Sequence, residues 1–325
     1  MSERTPREWS YWTVNKLQIL SDYLPAFNKA AKRSDERLYI DLMAGQAANV
    51  ERYTGKQLAG SPRRALESDP GFTHHAFCEL PKNAGALEDN LRRTYPHKTF
   101  DVVPGDCNST IDSVLRRLKP VSWAPTFVFA DQQAAEIHWS TIEKVSRFKP
   151  TTSRTKAEIW MLVSPAMVIK GATGSGHVRF RERVSMSYGT EDWLRIQRAR
   201  DRKTISGSEY RREMVNLIRK QLSEDLGYAV THSIPMTMQN ETELYYMVFA
   251  TDHIAGDNIM SYLYNKAAQR EPGMMKQARQ LAAEETRIES GQLSFLDVEI
   301  PDPEVSGETL WRPEPHWEPS SRPWW

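Results

Sequence analysis

The sequence has few cysteines and no long hydrophobic run. Its 325 residues include two cysteines, Cys78 and Cys107, and no C-x-x-C pair. This excludes a disulfide framework and a cysteine-rich zinc site. No apolar run approaches the roughly 18–20 residues of a membrane span, and the first residues, M-S-E-R-T-P-R-E-W, lack a secretory apolar core. We therefore expect a cytoplasmic protein without a membrane segment.

The chain also lacks a large net charge. Its 43 Lys and Arg residues nearly balance 42 Asp and Glu residues, which leaves a formal charge of +1. No global field therefore favours nucleic acid, and any such binding must come from a local patch. With 39% hydrophobic and 26% charged residues, the composition is typical of globular proteins.

Short apolar runs alternate with amphipathic stretches through the first half of the chain. The apolar runs predict five strands, at residues 38–42, 75–80, 100–104, 126–131 and 157–163. The amphipathic stretches predict helices at residues 82–94, 108–118 and 135–148. This alternation is typical of βαβ units and predicts a parallel sheet with helices on its faces.

The pattern changes near residue 228. Residues 228–238 and 244–251 are two β-rich runs, and only a short polar turn separates them. No helix fits in that gap, so the pair predicts an antiparallel hairpin at the sheet edge. The fold class is therefore α/β: a Rossmann-like class I methyltransferase fold with a mostly parallel seven-stranded sheet, a C-terminal hairpin and a helical insertion.

These patterns divide the chain into five segments. They are an N-terminal helical segment (1–36), a Rossmann-like core (37–170), a basic, mainly helical insertion (171–227), the terminal hairpin with C-terminal helices (228–290) and a Pro/Trp-rich tail (291–325). The last 25 residues hold six prolines and four tryptophans, so they cannot form a regular element. The tail is either disordered or pressed onto a surface by its aromatic rings.

The first two predicted strands end in candidate ligand-binding residues. A doubly wound sheet binds its ligand at the carboxyl ends of its strands. Asp41 lies near the end of the first strand, and Gly45 permits a tight turn that brings backbone N–H groups close to a ligand. Glu79 closes the second strand, where a carboxylate can accept hydrogen bonds from both hydroxyls of a ribose. All three are candidate cofactor-binding residues.

The next two strands carry similar candidates. Gly105 and Asp106 follow the third strand, and Asp106 could accept a hydrogen bond from an adenine amino group. Asp131 ends the fourth strand, where it would face the methyl group of S-adenosylmethionine. For Asp41 and Asp106 the alternative is a purely structural role in a turn or a helix cap. His74, His75, His138 and His253 form no metal-ligand pattern, so no metal site is predicted.

The basic insertion is the candidate nucleic-acid surface. Between His177 and Lys220, 12 Lys and Arg residues stand against 6 Asp and Glu residues. Arg179, Arg181 and Arg183 alternate in R-F-R-E-R, so on a strand they would share one face. Such a face could contact phosphates of DNA or RNA. The alternative is an ordinary solvated helical face.

Several short stretches resemble one known family. In chain order they are K-L-Q-I-L-S-D-Y-L-P-A-F (16–27), L-Y-I-D-L-M-A-G (38–45), A-G-S-P (59–62), F-C-E-L (77–80), G-D-C-N (105–108), I-H-W-S-T-I-E-K (137–144) and F-A-T-D-H-I-A-G (249–256). In this order they are similar to the three-Cys-motif partner proteins, a bacterial and phage family with a methyltransferase-like fold. The resemblance implies a partner, the three-Cys-motif protein, but no settled reaction.

The chain departs from this family in two loops. After Gly45 it has Gln46-Ala47 in place of Pro-Gly. After Asp131 it reads Gln132-Gln133-Ala134 in place of Pro-aromatic-Gly, so the loop lacks an aromatic ring that could stack on a flipped-out base. His138 or Trp139 could supply that ring from the next helix, and we therefore name Trp139 with Asp131 as candidate catalytic residues. The alternative for Trp139 is a packing role.

Two functional hypotheses follow from these patterns. The first is an S-adenosylmethionine-dependent methyltransferase-like protein that acts on nucleic acid beside its partner. The second is a catalytically decayed subunit that serves as a binding or scaffold protein. A peptide in the tail, Gln292-Leu293-Ser294-Phe295-Leu296, is similar to motifs that dock on the bacterial sliding clamp, which would agree with work on DNA.

Overall fold

A large sheet forms the centre of the molecule. The computed structural model describes residues 8–52, 55–172, 177–289 and 307–325. Within them the strands are β1 (Glu8–Trp9), β2 (Leu38–Asp41), β3 (Ala48–Glu51), β4 (Gln57–Ala59), β5 (His74–Glu79), β6 (Asp101–Pro104), β7 (Thr126–Ala130), β8 (Glu158–Val163), β9 (Val230–Thr237) and β10 (Glu243–Thr251). Seven of these strands form one sheet, in the order β6-β5-β2-β7-β8-β10-β9.

The pairing within this sheet confirms the mixed topology. Strands β6, β5, β2, β7 and β8 run parallel to one another. Strand β10 runs antiparallel to both β8 and β9, so the hairpin lies at the sheet edge. Every residue of β2, β7 and β8 is buried, as expected for parallel strands with helices on both faces. The sequence therefore predicted the sheet and its five parallel strands within one or two residues.

Helices cover both faces of the sheet. They are α1 (Tyr11–Ala30), α2 (Ser61–Glu67), α3 (Pro81–Thr94), α4 (Cys107–Arg117), α5 (Trp139–Ser146), α6 (Pro165–Ala172), α7 (His177–Tyr188), α8 (Trp193–Asp201), α9 (Gly207–Glu224) and α10 (Ile254–Glu289). Alternate residues of β2 point to opposite faces. Leu38 and Ile40 pack with residues of α4, α5 and α9, whereas Tyr39 packs with residues of α1, α3 and α10.

A small second sheet separates β2 from the helix that follows it. Its strand order is β1-β3-β4, and the hairpin of β3 and β4 lies between Gly45 and α2. Gly60 closes this hairpin against the Gln46 carbonyl, where a β-carbon would collide with the oxygen. Because the chain enters a strand after Gly45, the Gln46-Ala47 departure belongs to a hairpin and not to a loop that opens a helix.

The basic insertion is helical, which corrects the strand reading of R-F-R-E-R. Arg179, Arg181 and Arg183 lie on α7. On a helix, positions four apart are neighbours, so Arg179 and Arg183 share a face and Arg181 points away from it. Helices α8 and α9 complete the segment, and α9 begins with a capping box between Ser206 and Glu209.

The C-terminal part differs from the prediction in one respect. The C-terminal helices predicted before residue 290 are a single helix of 36 residues, α10. Tail residues 307–325 lie on the surface of the fold, with the Trp311 ring edge-on to both His232 and Tyr264. The clamp-like peptide from Gln292 to Leu296 lies outside the described residues. None of the described helices combines the length and apolarity needed to cross a membrane.

Candidate functional site

An open cleft of about 600 Å³ lies at the carboxyl ends of β2, β5, β7 and β8. Its walls come from the loops after these strands, from α1, from the β3–β4 hairpin and from the start of β10. Among the predicted site residues, Gly45, Glu79 and Asp131 line this cleft. These three residues are far apart in sequence, and the parallel strands bring them to one edge of the sheet.

The Gly45 loop and Glu79 hold each other in place. Gly45 has a φ of +68°, which favours glycine, and its N–H donates to Glu79 Oε2 at 2.7 Å. Asn83 donates from Nδ2 to the other carboxylate oxygen at 2.7 Å. A carboxylate offers further lone pairs, so Glu79 can still accept hydrogen bonds from a ligand's hydroxyls. Asn83 was missed in the sequence, although it lies one helical turn after Glu79.

Asp41 lies beneath the cleft and not on its wall. It is fully buried, and it accepts hydrogen bonds from the Tyr39 hydroxyl and the Met43 N–H, both at 3.2 Å. Burial raises the pKa of Asp41 to about 7, although the Ser61 hydroxyl and the Met43 N–H oppose this rise. The predicted direct contact between Asp41 and a cofactor is therefore wrong. The carboxyl group lies below the loop and shapes it from there.

Gly105 and Asp106 also lie off the cleft wall. The Gly105 N–H donates to the Glu79 carbonyl at 2.9 Å, and a β-carbon at Gly105 would collide with Thr110. Asp106 is exposed and caps α4, where its carboxylate accepts from the Asn108 N–H at 2.8 Å. The structural alternative holds for Asp106, since its side chain is used by the helix. The adenine contact of Asp106 stays a prediction.

A buried lysine from α1 reaches Asp131. Lys16 Nζ lies 2.6 and 2.5 Å from the two carboxylate oxygens of Asp131. The lysine side chain is 6% exposed and the aspartate side chain 27%, so the pair borders the cleft and its carboxylate still meets solvent. Lys16 was not predicted as a site residue, because 115 positions separate it from Asp131. Only the packing of α1 across the strand ends brings the two together.

The loop after Asp131 is braced by its own side chains. Gln132 is buried, donates to the Leu162 carbonyl at 3.1 Å, and accepts from the N–H groups of Glu136 and Ile137 at 3.0 Å. The Glu136 carboxylate accepts from the N–H groups of Gln133 and Ala134. The loop Gln132-Gln133-Ala134 is thus held in place by hydrogen bonds to the Gln132 side-chain amide and to the Glu136 carboxylate.

Trp139 does not face the cleft. It is 6% exposed, belongs to the hydrophobic core on the α5 side of the sheet, and packs so closely on Gly189 that no β-carbon fits there. The prediction of Trp139 as a catalytic residue is therefore wrong, and its packing alternative is correct. His138 caps α5, and its N–H donates to Asn108 Oδ1 at 2.8 Å. Neither ring lines the cleft.

The basic helix α7 contacts the cleft wall through Arg183. Arg183 Nη2 lies 3.6 Å from Glu136 Oε1, and Glu136 lines the cleft. Arg179 and Arg181 are exposed on the same helix. A ligand that crosses the cleft toward α7 would therefore meet guanidinium groups next.

Comparisons with known proteins leave the reaction open. No family model matches the chain, and no curated protein matches it at a significant level. A solved structure from Legionella pneumophila, described as a DUF519 protein, aligns at 12% identity with a TM-score of 0.41. The alignment covers 72% of this chain and 84% of that chain.

The described residues contain no group of three or more His, Cys, Asp or Glu side chains placed to hold a metal ion.

Proposed function

We propose that the protein is a class I methyltransferase-like protein that binds S-adenosylmethionine and acts on nucleic acid together with a three-Cys-motif protein. The observation that supports this most directly is the meeting of Gly45, Glu79 and Asp131 in one cleft at the carboxyl ends of parallel strands. The cleft volume of about 600 Å³ lies in the usual range for sites of small ligands.

The residues of the cleft fit this cofactor in their chemistry. Glu79 would accept hydrogen bonds from the ribose hydroxyls, and the loop at Gly45 would hold the methionine end. When bound, the cofactor supplies an electrophilic methyl group, and the protein supplies binding and orientation. Asp131 would accept a hydrogen bond from the amino group of the target. Because the Lys16 ammonium already donates to Asp131, an incoming amine has to compete with it.

The position of α7 supports a nucleic-acid target. Arg183 touches the cleft wall at Glu136, while Arg179 and Arg181 are exposed farther along the helix. Guanidinium groups bind phosphates well because they present several donors in a planar fork. A target base in the cleft would thus leave its flanking phosphates near α7. The three-Cys-motif partner rests on the family resemblance alone.

Two observations favour a second candidate, a non-catalytic binding subunit for the same partner. The Asp131 carboxylate is already paired with Lys16 inside the protein. The loop after it offers no stacking ring, because Trp139 is buried against Gly189. A site that has lost its activity would show both features, because the ion pair and the buried ring are stable without a ligand.

Titration with S-adenosylmethionine separates the two candidates. We expect the wild-type protein to bind it with a micromolar Kd in calorimetry, and Glu79→Ala to weaken binding at least tenfold, because the variant lacks the acceptor for the ribose hydroxyls. Glu88→Ala, an exposed change on α3, is the matched control and should leave the Kd unchanged. The absence of heat and of a thermal shift at millimolar cofactor would favour the non-catalytic candidate.

A further inference from the structure

Asn49 is a buried polar residue that the fold itself does not use. It lies on β3, directly opposite Leu58 of β4, and it lines the cleft close to Gly45. The residue is 2% exposed, and within the described part of the chain neither polar atom of its side chain, Oδ1 or Nδ2, has a hydrogen-bond partner. Buried amides in folded proteins are nearly always hydrogen-bonded, so this side chain needs an explanation.

Packing alone does not explain an amide at this position. The residue beside it on the same face, Leu58, is apolar and buried. A leucine at position 49 would fill the same space without leaving a donor and an acceptor unpaired. Asn49 is one of the residues that line the cleft, and its two buried, unpaired atoms together complement a group that carries a donor and an acceptor side by side.

The amino-acid end of the cofactor is such a group. We infer that Asn49 binds the methionine end of S-adenosylmethionine, with Oδ1 accepting from the α-ammonium group and Nδ2 donating to the α-carboxylate. This inference rests on the proposed function. Asn49 is four residues after Gly45, whose N–H is bound to Glu79, so the amide and the ribose-binding carboxylate border the same loop.

The inserted hairpin thereby gains a role in recognition. It places Asn49 beside a loop that lacks a second glycine after Gly45. An asparagine can also pair with the edge of an adenine ring through the same two atoms. Ligands that share the adenosine part and differ only at the amino-acid end distinguish these two contacts.

Calorimetry with three ligands tests the inference: S-adenosylmethionine, its decarboxylated form and methylthioadenosine. In Asn49→Leu we expect affinity for S-adenosylmethionine to fall at least tenfold and affinity for methylthioadenosine to change less than twofold. Asn49→Asp keeps the acceptor and loses the donor to the carboxylate. It should therefore weaken S-adenosylmethionine binding and retain the decarboxylated form. Asn258→Leu, the same substitution at an exposed residue of α10 outside the cleft, should change none of the three affinities.

Other outcomes have distinct meanings. A parallel loss of all three ligands in Asn49→Leu, with unfolding midpoints unchanged, would assign Asn49 to the adenosine part and overturn the inference. Unchanged affinities in both Asn49 variants would overturn it too. If the wild-type protein binds none of the ligands, the proposed function fails first and the role of Asn49 fails with it. Thermal melts check folding, and Asn49→Leu should be at least as stable as the wild type.

Discussion

Several buried or half-buried carboxyl groups of this protein are held in place by their neighbours. Glu79 is held by a backbone N–H and an amide, Asp131 by an ammonium group, and Asp41 by hydroxyl and backbone donors beneath the cleft. Glu158 is another buried carboxyl group, and it lies at the opposite end of the sheet from the cleft. It is 6% exposed at the first position of β8.

The surroundings of Glu158 are largely uncharged. Its carboxylate accepts hydrogen bonds from the hydroxyls of Tyr23 and Thr251, and Gly256 packs against it. Burial raises its pKa to about 7, and the nearby Asp252 adds to the rise, while both hydroxyls and Lys149 oppose it. Because the ordinary pKa of a glutamate is 4.5, the folded protein binds a proton here that the unfolded chain releases.

The raised pKa of Glu158 makes the stability of the fold depend on pH. The stability that Glu158 contributes is complete below about pH 4.5 and is lost as the pH rises through about 7, because the buried group must then carry a charge. Glu158→Gln removes the charge. Near pH 5 the variant and the wild type should unfold at similar urea concentrations. By pH 8 the variant should be more stable, by about 3 kcal/mol at most.

Urea unfolding across this pH range provides the measurement, with the exposed Glu88→Gln as the control. The two hydroxyls can rotate to donate to, or accept from, the new amide, so the variant should fold. A constant difference between Glu158→Gln and wild type from pH 5 to 8 would contradict a raised pKa at this site.

At the scale of elements, helix α7 illustrates how secondary structure redistributes charge. Arg179 and Arg183 share one face because they lie four positions apart on a helix, and Arg183 reaches the cleft wall at Glu136. With a net charge of only +1 for the whole chain, any attraction to phosphates must be local. Through Arg183, the face with these two arginines adjoins the cleft wall.

Charge reversal on this face tests the nucleic-acid part of the proposal. Arg179→Glu with Arg183→Glu should weaken binding of single-stranded DNA or RNA and lower the salt slope of log K by about 1.4, since each phosphate contact contributes about 0.7. Fluorescence anisotropy at several salt concentrations gives both quantities. Arg198→Glu with Arg202→Glu, one residue on α8 and the other at its C-cap, makes the same change in net charge and should lower the slope less. Equal effects of the two pairs would remove α7 from the interface.

At the scale of the whole molecule, the tail joins parts of the fold that are distant in sequence. The main chain of Trp317 forms two hydrogen bonds with the side chain of Asn216 on α9, at 2.8 and 2.9 Å. The Trp317 indole N–H donates to Glu213, also on α9. The Trp311 ring lies against His232 of β9 and Tyr264 of α10. Glu213 and Asn216 are buried in the folded protein, so the tail supplies partners that the rest of the chain would lack.

Removal of the tail should therefore destabilise the fold. A chain that ends at residue 306 exposes apolar surface under Trp311, Trp324 and Trp325 and leaves buried groups on α9 without these partners. We expect a loss of about 3 kcal/mol in the free energy of unfolding by urea. A synthetic peptide of residues 307–325 should restore part of it, while Leu310→Ala, at a residue 52% exposed, should change little. Equal stability of the full and shortened chains would show that the tail adds nothing to folding.

The sequence by itself determined the order of the elements, the parallel sheet and the edge hairpin, because periodicity and apolar runs report directly which segments are buried. It also located Gly45, Glu79 and Asp131, because the ends of parallel strands meet at one edge. The sequence could not show where side chains beyond the strand ends point, because their direction depends on the path that the chain takes after each strand. Local pattern could not show that Asp106 caps a helix or that Trp139 packs on Gly189.

Only the tertiary structure brought Lys16 to Asp131 and Asn49 to the cleft. Lys16 lies on a helix that looks like any amphipathic helix, and Asn49 belongs to a hairpin that lies outside the βαβ pattern. In both cases the position at the cleft depends on contacts between segments that are distant in sequence. The free energy of such contacts comes from packing and desolvation in the folded state. Neither produces a periodic pattern in the sequence from which the contacts could be predicted.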